Sequence, residues 1–193
     1  MGSEPAKARR APRADSLRNR ERLLSAAREV FAEGGAGASL EAVARCAELG
    51  IGTLYRHFPT RESLFQAVYR KEVDELVDLA AALDAEPDPT EALRRWLGAN
   101  VGVIATKRGM LVALAPAPES SRALYDDSRR RLVEAVGALM RRAQAAGVMR
   151  EDVAPEEVLQ VLYGVAYGRE DPGWQSVVLR LIDVFVDGLR IRA

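Results

Sequence analysis

The chain of 193 residues holds one cysteine, Cys46, and one histidine, His57. A single cysteine excludes an internal disulfide and any cysteine-built zinc cluster, and it suits a reducing compartment. A single histidine excludes a multi-histidine metal site. No run of alternating β-branched residues and no Asn-Gly hairpin turn occurs, so strands are not expected. The longest uncharged stretches, Trp96–Thr106 and Val158–Gly168, reach about half of the ~20 residues that a membrane helix needs. The positive N-terminus has no apolar run behind it, so it does not read as a secretory signal. Met1-Gly2 suggests myristoylation, but Ala6 stands where that signal wants Ser or Thr. No membrane partner is expected, and a cytoplasmic location is. There is no serine–histidine pair, metal cluster or Gly-rich phosphate loop, and the carboxylates are scattered over polar faces. An enzyme and a cofactor are therefore not expected.

What is present is enough apolar material for a real core, 48% of the chain. The formal net charge is zero, but the charge is unevenly spread. Residues 1–22 carry seven basic and three acidic side chains, which leaves that end at +4 and the remainder at −4. One end suits a polyanion while the rest does not. Prolines fall at 5, 12, 59, 87, 89, 116, 118, 155 and 172, with long proline-free stretches between them. Helix interiors exclude proline, so the reading is all-α. Helices are expected at about 16–33, 39–46, 51–57, 61–85, 90–105, 107–115, 119–146, 155–167 and 173–191, nine in all. Gly34-Gly35 should stop the first and Gly147 the seventh. Three units follow: a mobile basic arm (1–15), a three-helix head (16–62) and a larger helical body (63–193).

Residues 39–58 read SLEAVARCAELGIGTLYRHF. Two short helices are joined by a tight turn, and Leu40, Val43, Ala44, Ala47, Leu49 and Leu54 are placed to hold them on the first helix. Cys46 is expected as a small buried residue of this unit. The plan is helix-turn-helix, in which the second motif helix enters the DNA major groove. Gly50, Gly52 and Thr53 near its start are small, and Tyr55, Arg56 and His57 supply polar tips. Arg61 opens the next helix, where free backbone N–H groups also suit a phosphate.

From Leu24 to Leu64 the sequence resembles the TetR family of transcriptional regulators. The matching stretches are LLSAAREVFAEGG and IGTLYRHFPTRESL. The resemblance implies a ligand-responsive repressor that binds a palindromic double-stranded DNA operator as a homodimer. By position, Gly52 and Thr53 would face base edges or nearby phosphates. Tyr55, His57 and Arg61 would grip the backbone with Ser39, and Gly50 and Ile51 would sit at the groove. The chain departs from the family pattern in three places: Glu48 where the turn usually has glycine, Gly50 for a Ser or Thr cap, and Arg61 for lysine. Glu48 must either adopt positive φ or remodel the turn and pair with an arginine such as Arg45.

In the body, Asn100 shares an apolar face with Trp96, Leu97 and Ile104. A polar group there needs a partner, either a structural one or a ligand. Trp96, Asn100, Met110, Tyr125 and Tyr163 are the candidate lining of a pocket for a small apolar or aromatic effector. The last two helices carry more apolar surface than one packed face uses. Val158, Leu162, Val178, Leu181, Ile182 and Phe185 are the expected dimer contacts, in a four-helix bundle shared by two subunits. The rival readings are an enzyme and a helical interaction protein that ignores DNA.

Overall fold

The computed structural model describes residues 10–33, 38–114, 122–169 and 171–191. The expected arm over 1–9, the Gly34-Gly35 stop and the helix start at 119–121 lie outside the described residues. The chain is all-α as expected. Among the described residues it forms α1 (Arg10–Glu33), α2 (Leu40–Cys46), α3 (Ile51–His57), α4 (Arg61–Ala82, with a closing turn Leu83–Ala85), α5 (Pro89–Leu114), α6 (Arg122–Ala145), α7 (Pro155–Tyr167) and α8 (Trp174–Leu189). The first helix starts at Arg10 and not at Ser16, so residues 10–15 are helical.

Among the described residues there are eight helices where nine were expected, because the segments expected at 90–105 and from 107 are one, Pro89–Leu114. The expected gap at residue 106 is helical. In three dimensions Gly109 is where α5 crosses α1: a Cβ at this position would overlap the Phe31 backbone carbonyl. The glycine is there for backbone contact and not to end a helix, at a helix-propensity cost of about 1 kcal/mol.

The head packs Leu24, Ala27 and Phe31 of α1 against Leu40, Val43 and Ala44 of α2, with Leu54 as the buried residue of α3. That core runs without interruption through Leu64, Phe65 and Val68 of α4 into the body. In the body α4, α5 and α6 pack on one another, α8 lies along α5, and α7 sits between α6 and α8. Arg94 of α5 holds α8 by ion pairs to Asp183 (2.9 Å) and Asp187 (2.7 Å). After α6, Gly147 takes positive φ and closes the helix with N–H bonds from Gly147 to Gln144 and from Val148 to Ala143. This is the stop expected there.

One charged group is buried where α1, α4 and α5 meet. Glu72 of α4 is 2% exposed. Its Oε1 accepts a bond from Thr106 Oγ1 of α5 (2.8 Å) and lies 3.4 Å from Arg28 Nε of α1, while Oε2 has no partner. Burial raises its pKa from 4.5 to about 7, against the weaker pull of Thr106 and Arg28. The unfolded chain ionises at lower pH than the folded one. Stability is therefore lost as pH rises from 4.5 through about 7, by on the order of 3 kcal/mol. Glu72→Gln should remove most of this slope and gain stability over the parent at pH ~8 but not at pH ~4.5. Urea unfolding of both proteins across that range reads the difference; parallel pH profiles would show that Glu72 titrates normally.

Candidate nucleic-acid interface and effector cavity

The helix-turn-helix is built by two short-range devices. Ser39 caps α2, its Oγ accepting from Ala42 N at 3.1 Å. The helix then closes with N–H bonds from Glu48 to the Arg45 carbonyl (3.0 Å) and from Leu49 to the Ala44 carbonyl (2.9 Å). This is a Schellman closure with its left-handed position at Glu48, φ 51°. The backbone is thus the one that glycine would adopt, and the turn is not remodelled. The Glu48 carboxylate does form an ion pair, but with Arg22 of α1 (3.0 Å) and not with Arg45.

Gly50 precedes α3 without a side-chain cap. Leu54 points inward, so Ile51, Gly52 and Tyr55 face outward on the opposite side, with Thr53 and His57 half-buried at its flanks. A Cβ at Gly50 or Gly52 would meet nothing within 4 Å. Nothing inside the protein therefore requires glycine at either position. Arg61 is exposed at the first turn of α4. There Thr60 and Ser63 form a reciprocal capping box, with Ser63 N donating to Thr60 Oγ1 at 3.0 Å and Thr60 N donating to Ser63 Oγ at 3.2 Å. All eight expected DNA-facing residues thus lie on or beside the motif helices and the start of α4. Two residues outside that set, Arg45 and Arg56, are also exposed and have no carboxylate partner among the described residues. The polar tip of Arg56 beside Tyr55 was the signal for it. Cys46 is exposed and not buried as expected. Its thiol is held above its ordinary pKa, chiefly by partial burial and then by Glu29, whose carboxylate its Sγ faces at 3.8 Å. It is a poor thiolate.

In the body, α4, α5, α6 and α7 enclose a cavity of about 680 Å³. Asn100, Tyr125 and Tyr163 line it as expected. Trp96 and Met110 do not. Trp96 is fully buried in the core and donates its indole N–H to the Leu76 carbonyl at 2.8 Å, and Met110 is fully buried as well. Both share α5 with the cavity residues but lie beyond its lining stretch, Trp96 one turn before Asn100 and Met110 three residues past Lys107. The wall is more polar than an apolar pocket. Lys107 is half-buried, its Nζ 4.3 Å from the Tyr125 ring centre and 5.2 Å from that of Tyr69. Asn100 is fully buried, and neither of its amide atoms has a hydrogen-bond partner. It lies near enough to the Tyr163 phenol to offset slightly the burial that pushes that group up to about 12, but no hydrogen bond joins them. Tyr163 is the polar group nearest to a structural partner for Asn100, and at hydrogen-bond distance the amide has none among the described residues.

The expected dimer residues divide. Val158, Leu162, Val178 and Ile182 are buried in the protomer, where they line an apolar groove together with Val161, Val165, Leu181 and Phe185. Leu181 is 43% exposed and Phe185 half-buried. With Val161, Val165 and the 70%-exposed Val184 they make an outward apolar face. Sequence periodicity found the apolar helices but not which of their two apolar sides faced in.

A three-helix head of this geometry on a helical body defines a DNA-binding transcriptional regulator of the helix-turn-helix class. Residues 23–68 match the family described as bacterial regulatory proteins, tetR family, and residues 88–191 match the transcriptional regulator SbtR-like C-terminal domain. A TetR transcriptional regulator from Streptomyces coelicolor is 42% identical and superposes with a TM-score of 0.78 over 90% of this chain and 99% of its own. A TetR transcription regulatory protein from Mycobacterium vanbaalenii is 34% identical, with a TM-score of 0.71 over 93% of this chain and 99% of its own. The HTH-type transcriptional regulator UidR of Escherichia coli (strain K12) is 29% identical over 161 residues, 77% of this chain and 78% of that protein. The chain belongs to the TetR family of transcriptional regulators; it is a DNA-binding regulator and not an enzyme.

Glu48 gives a test of the motif's turn. Glycine there would relieve left-handed strain of about 1–2 kcal/mol, but would loosen the unfolded chain by about 0.4–1 kcal/mol and lose an exposed ion pair worth a few tenths. Glu48→Gly should therefore match the parent's stability or exceed it by up to about 1 kcal/mol. It should also bind DNA more tightly at low salt, because a negative charge leaves the DNA side and Arg22 is released. Thermal unfolding with DNA titration at two salt concentrations reads both. A fall in stability and affinity together would mean that the Arg22 pair holds the turn.

Proposed function

We propose that this protein is a ligand-responsive repressor in the cytoplasm that binds a palindromic operator as a homodimer. The observation that carries the DNA reading is the pair of exposed glycines, Gly50 and Gly52, at the start of α3, where the protein itself has no use for a missing Cβ. Close backbone approach to DNA supplies the use. Phosphates are held by Ser39, Tyr55, His57 and Arg61, the last at a helix N-terminus. Gly52 and Thr53 sit over base edges, flanked by Gly50 and Ile51.

Self-association rests on the outward face of α7 and α8. Leu181 and Val184 stay exposed in the protomer beside Val161, Val165 and Phe185. A second copy placed about a two-fold axis covers this face on both subunits and makes a four-helix bundle. It also sets two heads side by side for half-sites about 34–36 Å apart. The cavity between α4 and α7 takes the effector. An occupant there acts on the heads only through its different affinity for two arrangements of the body, and α4 and α5 both run from the cavity to the head.

Two measurements test this. On operator DNA selected from random sequence, Arg61→Ala should weaken binding to every sequence and lower the salt slope by about one. Gly52→Ala should stabilise the free protein by about 0.5–1 kcal/mol yet weaken operator binding. If Gly52→Ala binds as the parent does, α3 does not approach DNA closely. In the second, Leu181→Glu and Val184→Glu should sediment as folded monomers, since both sites are exposed within the protomer and a charge is tolerated there. Intact dimers of both variants would place the interface elsewhere.

A further inference from the structure

The cavity has two polar poles. At one, the Lys107 ammonium lies over the rings of Tyr69 and Tyr125. Among the described residues no carboxylate comes within ion-pair distance of it. The hydroxyl of Tyr125, beside this pole, is buried and unpartnered. Burial alone accounts for the lowering of the Lys107 pKa, so no counter-charge offsets the cost of holding the cation there. The acids that line the cavity, Asp126 and Glu156, are exposed, as is Arg129. They are screened by water in a way that Lys107 is not.

At the other pole stands Asn100, fully buried, with both its donor and its acceptor unused. A buried amide that makes no bond within the protein loses about the full desolvation cost of its polar atoms. Asn100 and Lys107 are seven residues apart on α5. Two helical turns place them on one face, about 10 Å apart along the axis. Val103 and Ile104 lie between them, with Leu132 and Leu159 from the facing helices and tyrosine rings at the sides. The space is anion-seeking at one end, apolar and flat-walled in the middle, and hydrogen-bonding at the far end.

We propose that the effector is an aromatic carboxylic acid with a hydroxyl or carbonyl at the end remote from the carboxylate. Its carboxylate pairs with Lys107 and accepts from Tyr125, and its distal polar group bonds Asn100. This rests on the reading of the cavity as the effector site, and it narrows that site from apolar or aromatic molecules in general to an acid of stated polarity.

The test is calorimetric titration of the full chain with para-hydroxycinnamate, its methyl ester, cinnamate and tyramine. Para-hydroxycinnamate should bind at least about ten-fold more tightly than the ester or tyramine, the gain of one charge-assisted contact. It should also exceed cinnamate several-fold. Lys107→Gln should abolish the preference for acid over ester. Asn100→Leu should abolish the preference for the hydroxylated acid while raising the melting temperature of the free protein; an asparagine with a structural role would lower it. No binding by any probe, tighter binding of the ester or tyramine, or unchanged preferences in both variants would overturn the proposal. DNA release is read separately. An acid that binds with these preferences but leaves the operator complex intact keeps the ligand class and overturns the effector reading. A neutral probe that binds and releases DNA does the reverse.

Discussion

The backbone crossing of α1 and α5 at Gly109 is the constraint on which the rest of the molecule depends. It brings the last turns of the head's first helix against the helix that lines the cavity, with no side chain between them. Two helices this close cannot slide independently, because interiors are packed to crystal-like density. Beside the crossing, Glu72 joins the same helices through Thr106 and Arg28. The long connecting helix α4 is therefore not the only link between body and head. Movement of α5 reaches α1 directly, and α1 carries α2, which in turn carries α3.

The head reaches its geometry by local means. A serine cap, a left-handed closure and a capping box at the start of α4 set three helix ends within about two dozen residues. Each satisfies backbone groups that would otherwise be orphaned. The motif can then spend its outward positions on contact. That explains why α3 has one buried residue, Leu54, and tolerates a glycine, Gly52, that weakens it as a helix.

These local devices are why the head was legible from sequence. Apolar spacing, caps and turn residues lie within a few positions of one another, and at the odd residue, Glu48, the sequence left two backbones open, of which the left-handed one is adopted. The same reasoning ran out where the decisive neighbour is far away in the chain. The expected boundary at residue 106 does not exist, and that Gly109 belongs to a continuous helix is decided by Phe31, far away in the chain. Trp96 and Asn100, one turn apart, looked like equal pocket candidates, yet Trp96 finds the Leu76 carbonyl and Asn100 finds nothing. Val158 and Val161 on α7, and Ile182 and Leu181 on α8, are equally apolar, and only the packing of the two helices on α5 decides which of each pair is covered. For Cys46, the short amphipathic α2 turned its polar side at that residue, and one small sulfur carries too weak a preference to say so in advance.

Four successive residues of α5 each answer to a different neighbour. Thr106 bonds Glu72, Lys107 stands in the cavity, Arg108 bonds the carbonyls of Ala166 and Arg169 near the end of α7, and Gly109 meets α1. Asn100 lies two turns earlier, clear of that junction. The helix thus keeps the Asn100 end of the cavity apart from the turn that touches α1, α4 and α7. A descendant of this chain could acquire a new taste in ligands by substitution around Asn100 and keep its mechanical linkage whole. Change at Thr106 or Gly109 would alter the contacts with Glu72 and α1 themselves. Lineages derived from this body should diversify at one end of α5 and stay conservative at the other.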